Sequence, residues 1–388
     1  MTRAGSLSVR FFKSVRGWET LQSWWDGLLE SSPDSTPWQS WDYLWSGWQR
    51  LGGDKELRLV VVERAGVPVM IFPLQLTREK LLGVPARIIE PLGLTSDVNR
   101  PRLALGAPDT QAFAVGLEGL WSLREEWDAL RVDDLPLTDG EAGDLKAFAE
   151  EHRMWCRDSL SRMHAPLSLA QPWDEFLNTR SPALRENLRA ALRNLAAEGV
   201  VQFEVSESPE DVMTAFNVVL GLQQRRGLDR KPPSFTASPL YREFFREFLV
   251  NMALKGHARV LILWAGDRPV AGAVAVLHRD TYFSTEIVHD AAFARCSPEN
   301  LLVSFELERL MAPGLPRSYQ FSGGFADVPP RWTDETRDAH HIYVFQSGLR
   351  SWVDRHYFRA RPAVRRACRA VFGLSRGTAH ATRFTPRT

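Results

Sequence analysis

The sequence predicts an α/β protein of two similar halves, each a mixed central sheet flanked by helices. Three observations predict it. The chain has 388 residues, which favours about two domains. Residues 57–76 and 260–277 share one pattern: an apolar strand, a turn containing glycine, X-Pro-Val, and a returning strand. The two stretches overlay without a gap at an offset of 201, with Leu59 on Val260, Pro68 on Pro269, Val69 on Val270 and Leu76 on Leu277. Around each hairpin the elements run in the same order: helices, hairpin, further strand, helix, last strand.

Composition narrows the class. A hydrophobic fraction of 44% and a charged fraction of 24% are globular averages. A formal net charge of +1 argues against a partner held by overall charge. The three cysteines, Cys156, Cys296 and Cys368, are far apart and show neither a disulfide framework nor zinc spacing, which suits a reducing compartment. Residues 1–10 have no apolar signal core, and no apolar run reaches membrane-spanning length. The expectation is a cytoplasmic protein with no metal.

In chain order, residues 18–29 read as a helix with Trp18, Leu21, Trp25 and Leu28 on one face. After a turn-rich break, Trp38, Trp41, Trp45 and Trp48 recur at spacings of three and four, which places them on one helical face. Seven of the 14 tryptophans precede Gln49, and a helix packed on a sheet by large aromatics accounts for them. Strands follow at 57–63, 67–76 and 80–92, then a polar loop at 93–101, a helix at 111–123, a strand at 128–135 and a helix at 145–153. Ser181-Pro182 signals a helix start, and Gly199 its C-cap. Within that helix Leu184, Leu188, Leu192 and Leu195 form an apolar stripe, with Arg185, Arg189 and Arg193 a parallel basic one. The second half continues with a strand at 200–205, helices at 210–226 and 241–254, the second hairpin, a strand at 281–289, a helix opened by Ser297-Pro298, and a strand at 318–321. His340-His341 has no third ligand at metal spacing and reads as structural. The division is therefore residues 1–170, a linking basic helix at 171–199, a second domain at 200–348, and a tail at 349–388. From Arg350 onward the tail has ten arginines, no lysine and one aspartate, about +9 in all. Such a tail suits an acidic partner or an anionic membrane surface.

Four stretches carry a family resemblance: Trp38-Gln-Ser-Trp-Asp-Tyr-Leu-Trp45; the Arg185 helix with Val201-Gln-Phe-Glu204; the hairpin at 260–276; and His289-Asp290 through Ser297-Pro298 to Leu301. With them the chain resembles the CelD/BcsL-like acetyltransferases of the GCN5-related N-acetyltransferase (GNAT) superfamily, close in fold to FemAB-type aminoacyl transferases. The resemblance spans residues 18–332 and implies two tandem GNAT-like domains. Three places differ from its pattern, one being Val328-Pro-Pro-Arg331-Trp332 where the family has Tyr-Lys. Glu299 stands where the family has Gly, and Gln320 where it has Asp.

The resemblance implies transfer of an acetyl or other acyl group from acyl-CoA to an amine or hydroxyl of a small molecule or a polysaccharide. The central strand would hold the acyl carbonyl and the next helix start the pyrophosphate, which gives Ser297, Glu299, Asn300 and Leu301 as cofactor-binding. A base within hydrogen-bond reach of the acceptor is needed. Glu286 and Asp290 share a strand face and are the catalytic candidates, while His289 points to the other face. Arg185, Arg189, Asp327 and Arg331 are the substrate-binding candidates. Location at the inner face of the membrane would fit the tail. The alternatives are aminoacyl transfer from a charged transfer RNA, read by the Arg185 helix, and a binding protein that has kept the fold without the chemistry.

Overall fold

The computed structural model describes residues 6–33, 35–81, 84–93, 102–136, 140–226, 238–312, 316–321, 329–333 and 335–348. Most of the 93–101 loop, Asp327, and the arginine-rich tail lie outside them.

The chain opens with strand β1 (Leu7–Phe12), helices α1 (Val15–Glu19), α2 (Gln22–Ser31) and α3 (Trp41–Leu51), and the hairpin β2 (Glu56–Arg64) and β3 (Val67–Leu81). Then come β4 (Val84–Pro91), β5 (Leu105–Gly106), α4 (Thr110–Ser122), β6 (Ala129–Pro136), α5 (Glu141–Glu151) and β7 (Trp155–His164). The second half has β8 (Leu167–Ser168), α6 (Trp173–Thr179), α7 (Pro182–Ala196), β9 (Val201–Ser206), α8 (Pro209–Arg226) and α9 (Pro239–Leu254). It continues with β10 (Ala258–Ala265), β11 (Arg268–His278), β12 (Thr281–His289), α10 (Pro298–Leu310), β13 (Ser318–Phe321), α11 (Pro329–Trp332) and β14 (Thr336–Phe345).

These strands form two sheets, ordered β1-β2-β3-β4-β6-β14-β7, with β5 beside β3, and β8-β13-β12-β11-β10-β9. The hairpin repeat extends to the register. Leu59↔Pro73 in the first becomes Val260↔Val274 in the second, and Glu63↔Pro68 becomes Trp264↔Pro269. Both carry a β-bulge at the same step, between Val62 and Glu63 and between Leu263 and Trp264. A two-residue turn and a bulge at a fixed distance from it leave one register available. Beyond each hairpin the next strand is antiparallel and the one after it parallel: β4 to β6, and β12 to β13. A parallel neighbour needs a long crossover, and α4 and α10 lie in those crossovers.

The expected division at residue 200 is not clean. Strand β14 leaves the second half and inserts between β6 and β7 of the first sheet. Its Ala339, Ile342, Val344 and Phe345 are buried there, and β6 and β7 would otherwise be two edges with unpaired backbone. In exchange, β8 joins β13 in the second sheet. His340 and His341 fasten the insertion on its two sides. His340 Nδ1 lies 2.5 Å from Asp158 of β7, and His341 Nδ1 3.1 Å from Asp133 of β6.

Four local expectations change. The first tryptophan helix breaks after Glu19 into α1 and α2. Its rings still converge, with Trp25, Trp41, Trp45 and Trp48 all 5.2–6.2 Å from Trp18. Trp38 does not share their face. It precedes α3 in a 3-10 turn, because extended Ser40 caps α3, and its ring packs on Tyr43 and on Phe248 of α9. In α7, Ala191 rather than Leu192 is buried, since the stripe follows the 3.6-residue period through Leu184, Leu188 and Leu195. Gly199 is not the cap of α7, whose C-cap is Ala197. A Cβ on Gly199 would lie 2.7 Å from the Gly266 nitrogen, so this glycine lets the link pass against the second hairpin turn.

The halves share a core. One apolar cluster joins Trp25, Trp41, Leu44 and Ile71 to Phe216, Phe244, Phe248 and Val274. A second lies under α7 and α10, and a third under α4 and α5.

Candidate active site

Strands β12 and β13 run in parallel register only from Thr281↔Ser318 to Ser284↔Phe321. Beyond Ser284, β12 continues to His289 with no β13 partner among the described residues. At this fork β12 carries a bulge. Ser284 pairs with Ala275 and Glu286 with Val274, leaving Thr285 as the extra residue, its hydroxyl donating to the Val274 carbonyl at 3.1 Å. A bulge re-aims the side chains that follow it. Tyr282 faces α10, and strict alternation would send Glu286 the same way; the bulge turns it to α8 instead.

Two polar groupings flank the parted strand. On the α8 side, Gln223 Nε2 donates to Glu286 Oε1 at 3.0 Å. Arg225 Nε donates to Asp290 Oδ2 at 3.1 Å, and Asp290 Oδ1 accepts from the Ala292 N–H, capping a 3-10 helix at Ala291–Cys296. Thus Glu286 and Asp290 share a face, and Asp290 also serves as a cap. On the α10 side, His289 Nδ1 and Glu299 Oε1 are 2.6 Å apart. Asn187 of α7 donates to Ser297 Oγ at 3.4 Å, and Asn300 donates to Asn187 Oδ1 at 3.3 Å.

The start of α10 differs from the expected one. Ser297 occupies the N-cap position at φ 44° and ψ 50°, and its side chain makes no capping bond. Its carbonyl accepts from the N–H groups of Asn300 and Leu301, and the Leu301 side chain is buried in the core. Those two N–H groups are therefore committed within the helix, and the group at the helix mouth is the Glu299 carboxylate. There it complements the helix dipole and meets His289.

Arg185 and Arg189 lie apart from this grouping. Arg185 and Arg189 project about 160° around α7 from Asn187, the residue that meets α10. Arg185 Nη1 donates to the Asn178 carbonyl, and Arg189 is exposed, 3.8 Å from Glu186. Arg331 is exposed beside Trp332, which is fully buried.

A buried polar cluster lies behind the fork. Glu306 of α10 is 1% exposed and accepts from the Tyr319 hydroxyl at 2.6 Å, with Tyr282 stacked 5.7 Å from Tyr319. Burial pushes the Glu306 carboxyl up to about 7, against the Tyr319 hydrogen bond that favours the ionised form. Burial likewise raises both tyrosines. Because the folded value of Glu306 lies above its ordinary one, its contribution to stability is complete below about pH 4.5 and is lost as pH rises through about 7. The wild-type thermal midpoint should fall over that window, and Glu306→Gln should flatten the fall. Parallel midpoint-versus-pH curves for the two proteins would contradict this. Glu306 was legible in principle, since it lies four residues from both Leu302 and Leu310 on the buried stripe. Asn187 and Gln223 carry no sequence signal of their own; only the packing of α7 and α8 brings them to the site.

The corresponding fork of the first sheet is bridged. There β4 and β6 pair only at Ile88↔Ala129 and Ile89↔Leu130. Immediately beyond, Arg131 reaches Glu90 and, at 2.9 Å, Glu79, while Gln75 donates to Glu90 at 3.0 Å. The paired carboxylates raise the Arg131 pKa despite its burial. A charge-assisted bridge of this kind ties the two strands together where their pairing ends. Among the described residues, the one grouping of metal-ligand type is Glu118, Glu151 and His152, on α4 and at the end of α5. No described helix is long and apolar enough to cross a membrane.

Comparison with known proteins agrees with this geometry. Residues 182–327 match the model of the acetyltransferase (GNAT) domain, a span that runs from α7 past β13 and contains the fork. Among solved structures the chain is similar to FemX, at 12% identity and a TM-score of 0.54, over 85% of this chain and 97% of that one. It is also similar to the C-terminal domain of a putative lysylphosphatidylglycerol synthetase from Agrobacterium fabrum, at 13% identity and a TM-score of 0.51, over 86% and 94%. A conserved protein of unknown function from Bacteroides thetaiotaomicron aligns at 10% identity and a TM-score of 0.53, over 87% and 100%. No curated protein matches the chain in sequence. The likenesses to solved structures establish the fold, a mixed α/β protein with two sheets, and the family model assigns a GNAT domain to its second half.

Proposed function

We propose that the second half transfers an acyl group from acyl-CoA to an amine or hydroxyl acceptor. The observation that carries this reading lies on β12: past Ser284, where its pairing with the described part of β13 ends, a bulge turns Glu286 toward Gln223 of α8. Backbone N–H groups of β12 past Ser284 would donate to an acyl carbonyl, and such fixed donors stabilise the oxyanion of a tetrahedral intermediate. Glu286, held by Gln223, takes the acceptor's proton as its nitrogen or oxygen attacks the thioester carbon. The C–S bond then breaks, and the CoA sulfur leaves as the thiolate and is protonated. Asp290, tied to Arg225 and to its cap, orients the strand end. Ser297, Asn300 and Asn187 shape the mouth of α10, with Glu299 the one group there that opposes a pyrophosphate. The likeness to CelD/BcsL-type acetyltransferases adds a polysaccharide to the acceptors worth testing. Calorimetric titration of the full chain with acetyl-CoA tests the reading: saturable one-site binding supports it, and absence of heat in both wild type and Glu299→Gly removes it.

A second reading is aminoacyl transfer from a charged transfer RNA. It is favoured by the Glu299 carboxylate, which disfavours a pyrophosphate at this helix, and by the likeness to FemX across both halves. Retention by an aminoacyl-tRNA, with none by acetyl-CoA, would decide for it.

A further inference from the structure

Helix α8 lies unusually close to the second sheet. At Gly272 of β11 a Cβ would meet Val219 Cγ2 at 2.9 Å and Leu222 Cδ1 at 3.3 Å, so the absence of a side chain at 272 sets the depth of α8. Gly272 pairs with Val288, two residues beyond Glu286 on β12. The close approach thereby seats Gln223, the neighbour of Leu222, against the Glu286 carboxylate. Gln223 is 6% exposed, and its Oε1 is buried with no hydrogen-bond partner among the described residues. An unpaired buried amide oxygen costs stability, and an apolar side chain of the same length would avoid that cost. The arrangement makes sense for what the other end of the amide does, which is to donate to a carboxylate at the fork. Among the described residues, Arg225 of α8 and Asp290 after β12 pair with each other on this face, and β11 presents Val274 opposite Glu286.

We infer that Gln223 is a positioning residue for Glu286: its amide N–H fixes the rotamer of the carboxylate and favours the ionised form that accepts a proton. This deepens the acyl-transfer reading and rests on it for the role of Glu286.

The test follows the Glu286 carboxyl itself. In full-length protein labelled with 13C at the glutamate carboxyls, its resonance is identified by its loss in Glu286→Gln, and its titration is compared between wild type and Gln223→Met. Loss of a donor to the charged form should move the midpoint up by about one pH unit or more. The thermal midpoint should hold or rise, since the buried unpaired oxygen is gone. Gln223→Glu, which adds a like charge at the same length, should move the Glu286 midpoint up as well and provides the measurement if the methionine variant does not fold. An unchanged Glu286 midpoint in the folded variant overturns the inference. The same variants, assayed for CoA release from acetyl-CoA with a panel of primary amines, separate the two claims. A shifted carboxyl titration with an unshifted pH–rate profile would leave Gln223 as the partner of Glu286 and remove Glu286 as the base.

Discussion

Replacing Glu286 by Gln should lower the rate of CoA release with an accepted amine or hydroxyl by about 10²- to 10⁴-fold, the usual contribution of a positioned general base. The substitution keeps the side chain's length and its ability to accept from Gln223 Nε2, so the fork should keep its shape. Acetyl-CoA affinity should therefore change little, which assigns the loss to proton transfer rather than to binding. The residual rate would come from the strand's N–H groups and from proximity, neither of which needs the carboxylate. Steady-state kinetics over a range of pH are the check. The wild-type profile should show an ascending limb that the variant lacks. Equal rates for both proteins would exclude Glu286 as the base.

Replacing Glu299 by Gly should tighten acetyl-CoA binding about tenfold. The carboxylate stands at the mouth of α10, where a pyrophosphate would otherwise face the positive end of the helix dipole. Two unit charges a few ångströms apart in a partly solvated site repel by a few kcal/mol before salt screening. A net gain of about 1.4 kcal/mol, or tenfold, is a conservative share of that. The cost is about 1 kcal/mol of stability, from loss of the dipole contact and of the His289 pair. Glu299→Gln separates charge from contact. It should recover most of the affinity gain while keeping a hydrogen bond to His289. Calorimetry at two salt concentrations is decisive, because a repulsive term shrinks as salt rises. Weaker binding in both variants would show that Glu299 assists the ligand instead.

How much of this could be read from residues alone varies with the range of the interaction. The hairpin repeat was legible as an ungapped offset of 201, because its strands and turns are local to residues 59–76 and 260–277; the bulges and the pairing register appear only in the fold. The Ser181 cap of α7 was legible for the same reason. Strand β14 was not, since its partners lie about 180 residues upstream and nothing in its own alternation names a sheet. Ser297 illustrates a narrower limit. Its residue type and the following proline announce a helix start, and α10 does start there. The left-handed backbone, which removes its side chain from capping duty, depends on the 3-10 helix before it and on Asn187 from α7. The reading of Glu286 and Asp290 as one face came from alternation past the bulge, while their partners Gln223 and Arg225 depend on how deeply α8 packs over Gly272. Arg185 and Arg189 drew attention as a charge stripe, but a stripe's direction is set by the helix's buried face, and that face turns them away from α10.

The central claim is that the fork of the second sheet, and not its bridged counterpart in the first, binds the acyl donor. Hydrogen exchange of the full chain with and without saturating acetyl-CoA tests it most directly. Slowed exchange is expected across residues 285–301, with no change in residues 88–91 and 129–132. Protection confined to the first sheet, or none in either, would contradict it.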